Sequence, residues 1–128
     1  MNGLLLDTHV VLWASSQPER LGPAATARLL DTESELFVSA VSAAEIAIKR
    51  SIGKLEMNVE TDRLLGPLGA TELPLSIDHA TATFRLDLIH RDPFDRLLIA
   101  QAVNEGLTLM TADDAILRYP VALLDARR

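Results

Sequence analysis

Residues 3–7, GLLLD, decide the fold. Gly3–Leu6 is apolar without polar alternation, as in a short strand buried on both faces of a parallel sheet. Asp7 stands where that run stops. Beyond it the pattern continues with strand-like runs at Leu36–Val38, Thr71–Leu73 and Leu107–Met110, and Val121–Leu124 offers a fifth. Helical stretches fill the intervals. Thr8 to about Ala14 follows the first strand, and Gly22-Pro23 opens an alanine-rich helix to about Leu30. Ala40–Ile52 stops at Gly53, and a weaker helix from about Val59 to Leu65 meets the breaker Gly66-Pro67. Ser76 can cap a helix carrying Ile77, Ala80 and Phe84. Asp92-Pro93 starts the clearest helix, to about Asn104 before Gly106, and a short one covers Asp113–Leu117. Strands alternating with helices predict βαβ units, hence an α/β fold of three layers, α/β/α, around a parallel sheet of four to five strands. No linker interrupts the pattern, so residues 1–128 read as a single domain.

The composition narrows the class. An apolar fraction of 48% with one Trp and one Tyr predicts an aliphatic core, and nothing is repeated or low in complexity. The absence of cysteine excludes disulfides and thiolate zinc, and fits a reducing cytoplasm. The first residues, MNGLLLDTHVVLWASS, lack a basic start and are broken by Asp7 and His9, unlike a signal peptide. No apolar run approaches the ~20 residues of a membrane helix. A net charge of −6 is unusual for a nucleic-acid binder. Metal bound among the acids would offset part of it, and the basic residues are ten Arg and two Lys, whose forks match phosphate. Genomic base composition explains the Arg bias equally well.

Four acids follow the strand-like runs. In a parallel sheet the strand ends converge on one crevice, where ligands bind. Asp7, Glu45, Asp95 and Asp113 would meet there, and four anions in one crevice call for cations. Oxygen ligands suit Mg²⁺ or Mn²⁺, which can activate water for phosphodiester cleavage. Each acid also has a structural explanation. Asp7 could be a helix cap. Glu45 could close a capping box with Ser42, but a helix starting at Ser39 would leave it in the second turn. It shares a stripe with Val41, Ile48 and Ile52, and a buried acid there needs a cation. Asp92 before Pro93 reads as an N-cap, with Arg96 four residues on to pair with it. Asp95 tilts inward with Leu98, Ile99 and Ala102, although first-turn dipole stabilisation would also account for it. Thr111 and Asp114 could form a capping box, leaving Asp113 free to face the crevice.

The remaining candidates carry less. His9, His79 and His90 have no metal-ligand spacing and read as ordinary hydrogen-bonding residues, with His9 near enough to Asp7 to touch substrate. Trp13 reads as core in preference to a base-stacking platform. Arg91 and Arg96 could hold phosphates or pair with Asp92 and Asp95.

The segments LLLDTHVVLW, SAAEIAIKRSIGKL, HRDPFDRLLIAQA and LMTADDAILRYP resemble, in order and spacing, a PIN domain of the VapC-type toxin family. The resemblance implies a Rossmann-like α/β/α fold and an Mg²⁺- or Mn²⁺-dependent endoribonuclease. It places the family's metal-binding and catalytic acids on Asp7, Glu45, Asp95 and Asp113, with Thr8, Asp92 and Thr111 in supporting positions. It further implies a homodimer inhibited by a small antitoxin encoded beside it. Three other readings compete. A phospho-receiver domain needs an acidic pair after the first strand, where only Asp7 stands. A haloacid-dehalogenase-like phosphatase needs Asp where His9 stands. A PIN domain acting as a non-catalytic scaffold, or as a solitary RNA-processing nuclease, is the third.

Overall fold

The computed structural model describes residues 3–54 and 65–128. Five strands, β1 (Gly3–Leu6), β2 (Glu35–Ser39), β3 (Thr71–Leu73), β4 (Thr108–Thr111) and β5 (Leu123–Asp125), form one sheet in the order β3-β2-β1-β4-β5. Every pairing is parallel. Among the described residues the helices are α1 (Thr8–Ser16), α2 (Pro23–Leu30), α3 (Ala40–Ser51), α4 (Ile77–Ala82) and α5 (Pro93–Glu105). The helix expected at about 59–65 lies almost wholly outside the described residues. None of the described helices is long and apolar enough to cross a membrane.

Alternation along the strands divides the core in two. Leu4, Leu6, Val38 and Met110 face Val10 and Val11 of α1, Ala25 of α2 and Ile46 of α3. Leu5 and Leu109 face the other way, onto Leu98, Ile99 and Ala102 of α5. Helices on both faces explain why β1 has no polar alternation: every one of its side chains is buried. The chain runs from β1 to β2 and β3 on one side, then crosses to β4 and β5 on the other. The order reverses at β1, which puts a crevice beyond the ends of β1 and β4.

Most predicted boundaries match within one or two residues, and the departures have local causes. β4 starts at Thr108 because the Leu107 N–H is given to the Ala102 carbonyl at 2.9 Å, closing α5. Gly106, at φ 67°, makes that left-handed exit. The helix expected at Asp113–Leu117 is instead a 3₁₀ turn, Ile116–Arg118. Phe84 lies beyond α4 in another such turn and is 92% exposed, so it contributes nothing to the core.

Candidate metal centre

Asp7 ends β1 and caps α1, its Oδ1 accepting the Val10 N–H at 2.9 Å. Its Oδ2 accepts the Thr111 hydroxyl from the end of β4. The cap and the site are therefore one residue: the carboxylate that stops the strand also starts the helix and is gripped by the neighbouring strand. Burial raises its pKa above the ordinary carboxylate value and Asp113 adds to this, against the opposing effects of Thr111, the Val10 amide and His9.

Glu45 sits in the second turn of α3, because Ser39 caps that helix by accepting the Val41 N–H at 2.9 Å. The capping box with Ser42 is absent. The stripe expected from Val41, Ile48 and Ile52 is also wrong, since Ile48 is 49% and Ile52 60% exposed. The buried face is Val41, Ser42, Glu45 and Ile46, rotated by part of a turn because Ile46 enters the core beneath α1. Glu45 is buried all the same. Thr8 donates to its Oε1 at 2.7 Å, and Lys49 lies 2.8 Å from its Oε2. The cation that burial demands is thus supplied in part from within the helix. The Glu45 carboxylate raises the Lys49 pKa, and Asp92 and Asp95 add to that effect.

Asp92 caps α5, accepting the Phe94 and Asp95 amides at 2.9 and 3.2 Å. Its expected partner Arg96 goes elsewhere, donating to the carbonyls of Thr83 (2.8 Å), Asp87 (3.1 Å) and His90 (3.3 Å) and meeting the Tyr119 hydroxyl at 3.3 Å. Among the described residues Arg96 makes no ion pair; it ties down the loop before α5. Asp95 points into the crevice, with Oδ2 2.8 Å from His90 Nε2. Desolvation first, then the charges of Asp92 and Glu45, push its pKa up to about 7, with His90 pulling down and Asp113 adding a smaller upward push.

Asp113 uses Oδ1 to cap its own turn, accepting the Ala115 and Ile116 amides at 2.8 and 3.1 Å. Of the box expected of Thr111 and Asp114 only a cap by Thr111 is present, its Oγ1 accepting the Asp113 N–H at 3.1 Å while it donates to Asp7; Asp114 pairs with Arg127 at 2.9 Å. Asp113 Oδ2 remains turned to the crevice, 3.7 Å from His90 Nε2.

His90 was not expected here. One ligand atom each from His90, Asp95 and Asp113 lie within 4.8 Å of one another, the one such group found among the described residues. Asp7 and Glu45 border this group, Asp7 through the charge of Asp113 and Glu45 through that of Asp95. The only sequence signal for His90 was its place five residues before Asp95 across Asp92-Pro93. His79, by contrast, is structural: it completes a capping box with Ser76 and reaches Glu105 at 2.8 Å, tying α4 to α5. Trp13 belongs to neither core cluster and lines a cavity beside Asp113 together with His9.

The donor set fits a hard divalent cation. Carboxylate oxygens dominate it, and the Asp95 pKa is raised by burial first and then by the charges of Asp92 and Glu45, both of which a bound cation would offset.

Comparison with known proteins gives a consistent result. The PIN domain family model matches residues 4–122. Ribonuclease VapC22 of Mycobacterium tuberculosis is 31% identical over 116 residues, covering 88% of each chain. Two crystal structures share the fold. VapBC2 from Rickettsia felis, bound to a DNA fragment from the promoter, aligns with TM-score 0.67 at 18% identity over 95% of this chain and 97% of the other. VapBC-5 from Mycobacterium tuberculosis, of the VapBC family of toxin–antitoxin systems, aligns with TM-score 0.62 at 21% identity over the whole of both chains.

Proposed function

This chain belongs to the PIN domain family, and from that premise we propose that it is an endoribonuclease, the toxin of a type II toxin–antitoxin pair. The receiver and phosphatase readings fall with the family assignment. The observation that carries the proposal is the convergence of Asp95, Asp113 and His90 within 4.8 Å, with buried Asp7 and Glu45 at its border. A similar protein is named a ribonuclease, and the acids have the chemistry that metal-dependent phosphodiester cleavage requires.

Asp7, Glu45, Asp95 and Asp113 would hold Mg²⁺, with Mn²⁺ as a substitute. A bound divalent cation supplies Lewis acidity, acidifying water at the site and offsetting charge on the phosphate. The chain's own task is placement. Thr111 and the Val10 amide fix the Asp7 carboxylate from both oxygens. Thr8 and Lys49 do the same for Glu45. Asp92 fixes the first turn of α5 and so the position of Asp95. None of these carboxylates needs to attack the substrate.

The whole chain, residues 1–128, would act as one PIN domain in the cytoplasm, as a homodimer held inactive by a small VapB-like antitoxin. VapBC complexes among the structural neighbours support such a partner. So do the exposed Ile77, Phe84 and Leu88, apolar side chains that water does not favour.

The test is cleavage of total cellular RNA by antitoxin-free protein, with 5′-end mapping, in Mg²⁺ or Mn²⁺ and in chelator. Discrete cuts that vanish in chelator and in folded Asp7→Asn protein are expected. Cleavage retained by folded Asp7→Asn would defeat the assignment.

A further inference from the structure

Beside the acidic crevice, and sharing Asp113 with it as a wall, lies a cavity of about 410 Å³ that also takes in His9, Trp13 and Arg20. Its size falls in the range of about 300–1,000 Å³ usual for ligand clefts. Trp13 is half-buried, and the Arg20 guanidinium lies over its ring, 4.5 Å from the centroid. His9, exposed, is tilted 56° to that ring at 6.5 Å. Arg20 makes no ion pair among the described residues; its one side-chain hydrogen bond is a long one, 3.4 Å, to Gln17. The cavity's other guanidinium, Arg127, is committed to Asp114 and Asp125 at 2.9 and 3.0 Å. Arg20 is therefore the uncommitted cation of this cavity in an acidic protein, and stacking on Trp13 holds it without using its N–H donors.

We propose that this cavity binds the nucleotide next to the scissile phosphate of a single-stranded RNA, its phosphate on Arg20 and its base against His9 and the part of the Trp13 ring that Arg20 leaves open. The proposal rests on the nuclease reading above for the identity of the strand. Three physical points support it. A strand with one phosphate at Asp113 must place its neighbour within a nucleotide's length of that wall. A free guanidinium next to an anionic crevice selects phosphate, and it counters the repulsion that the acids impose on the approaching backbone. Aromatic faces accept any base, which suits a positioning subsite for unpaired strands and not for duplex.

Trp13 is the chain's single tryptophan, so its emission reports on the cavity alone. The experiment titrates antitoxin-free protein with a mixed-sequence, end-labelled RNA octamer in chelator, where no metal-dependent cleavage occurs. Trp13 emission and label anisotropy are followed at several salt concentrations for wild type, Arg20→Ala and Arg20→Lys. Cleavage of the same octamer in Mg²⁺ is measured in parallel. RNA should change Trp13 emission in the wild type. Arg20→Ala should weaken binding about tenfold and lower the slope of log affinity against log salt by about 0.7, with Arg20→Lys restoring most of the slope. In Mg²⁺, kcat/KM should fall by the same factor while kcat holds, the mark of lost binding and not lost chemistry. Unchanged affinity and salt slope in folded Arg20→Ala, or Trp13 emission indifferent to an RNA the protein cleaves, would overturn the proposal. Binding that depends on Arg20 with no cleavage in Mg²⁺ would leave the cavity standing and remove the nuclease reading.

Discussion

Replacing Asp95 with Asn should stabilise the metal-free protein while abolishing its metal dependence. Asp95 holds its carboxyl at about 7 against an ordinary value of 3.8, chiefly through desolvation and then through Asp92 and Glu45. A shift of that size, at about 1.4 kcal/mol per pH unit, sets a ceiling near ~4 kcal/mol for the penalty of ionising it in the fold. The group is partly open to solvent, so the usable fraction is about 1–2 kcal/mol. The sign follows from proton binding. Between pH 3.8 and 7 the folded chain keeps a proton that the unfolded chain has released, so wild-type stability falls as pH rises through that window. Asn carries no such penalty and can still accept the His90 N–H. Its advantage should therefore be small at pH 4, grow to pH 7 and stay level at pH 8, where about 1–2 kcal/mol corresponds to roughly 5–10 °C in Tm. Urea unfolding in chelator at pH 4.5 and 8 measures this directly. Added Mg²⁺ should then raise the wild type and leave Asp95→Asn nearly unmoved, closing or reversing the gap. Equal stability of the two proteins at pH 8 in chelator, or the same gain at both pH values, would refute the reasoning.

Three further outcomes follow from the packing. Thr8→Val leaves Glu45 Oε1 without its 2.7 Å donor; it should cost about 1–3 kcal/mol in urea unfolding and also lower cleavage, because the carboxylate is no longer held. Arg96→Ala removes donors to three carbonyls at once; a loss of about 2 kcal/mol is expected, together with weaker Mg²⁺ affinity by calorimetry, since the His90 loop is freed. Gly22→Ala would bring a Cβ to 2.2 Å from the Arg128 backbone; neither main chain can yield cheaply, so a drop of about 1–3 kcal/mol is expected in thermal unfolding, with cleavage unchanged at temperatures where the protein is folded.

The central strand was legible because a parallel sheet covered on both faces leaves an apolar run with hard edges, as at Gly3–Leu6; the bounds of the edge strand Thr71–Leu73 also match residue for residue, although two of its three residues are exposed. Caps were legible where the residue type admits few alternatives, as at Ser76, Asp92 and Gly106. Helix faces were less so. Glu45 was expected to be buried and is, yet the stripe offered for it, Ile48 and Ile52, faces water. Hydrophobic spacing on a twelve-residue helix permits more than one face, and the contact between Thr8 and Glu45 that selects the real one spans 37 positions. His90 escaped notice for the same reason. Its place depends on Arg96 and on Tyr119, whose hydroxyl accepts the His90 N–H at 3.0 Å from 29 residues away. Arg96 itself looked like an ion-pair partner because i,i+4 spacing suggests one, and backbone carbonyls carry no mark in a sequence. Trp13, expected in the core, lines the cavity beside Asp113 instead.

The hydrogen bond between Thr111 and Asp7 joins residues 104 positions apart, at the centre of the sheet. Closing so long a loop has a large entropic cost that is recovered only when β4 docks against β1. A chain emerging from the ribosome therefore carries Asp7 and Glu45 long before it has anything to complete the crevice. Asp95 and Asp113 arrive among the last third of the residues. Any truncated or stalled product lacking β4 also lacks Asp113 and has no crevice between β1 and β4. On the site proposed above, the capacity to cut would be gained in one late step, when β4 and Asp113 join β1.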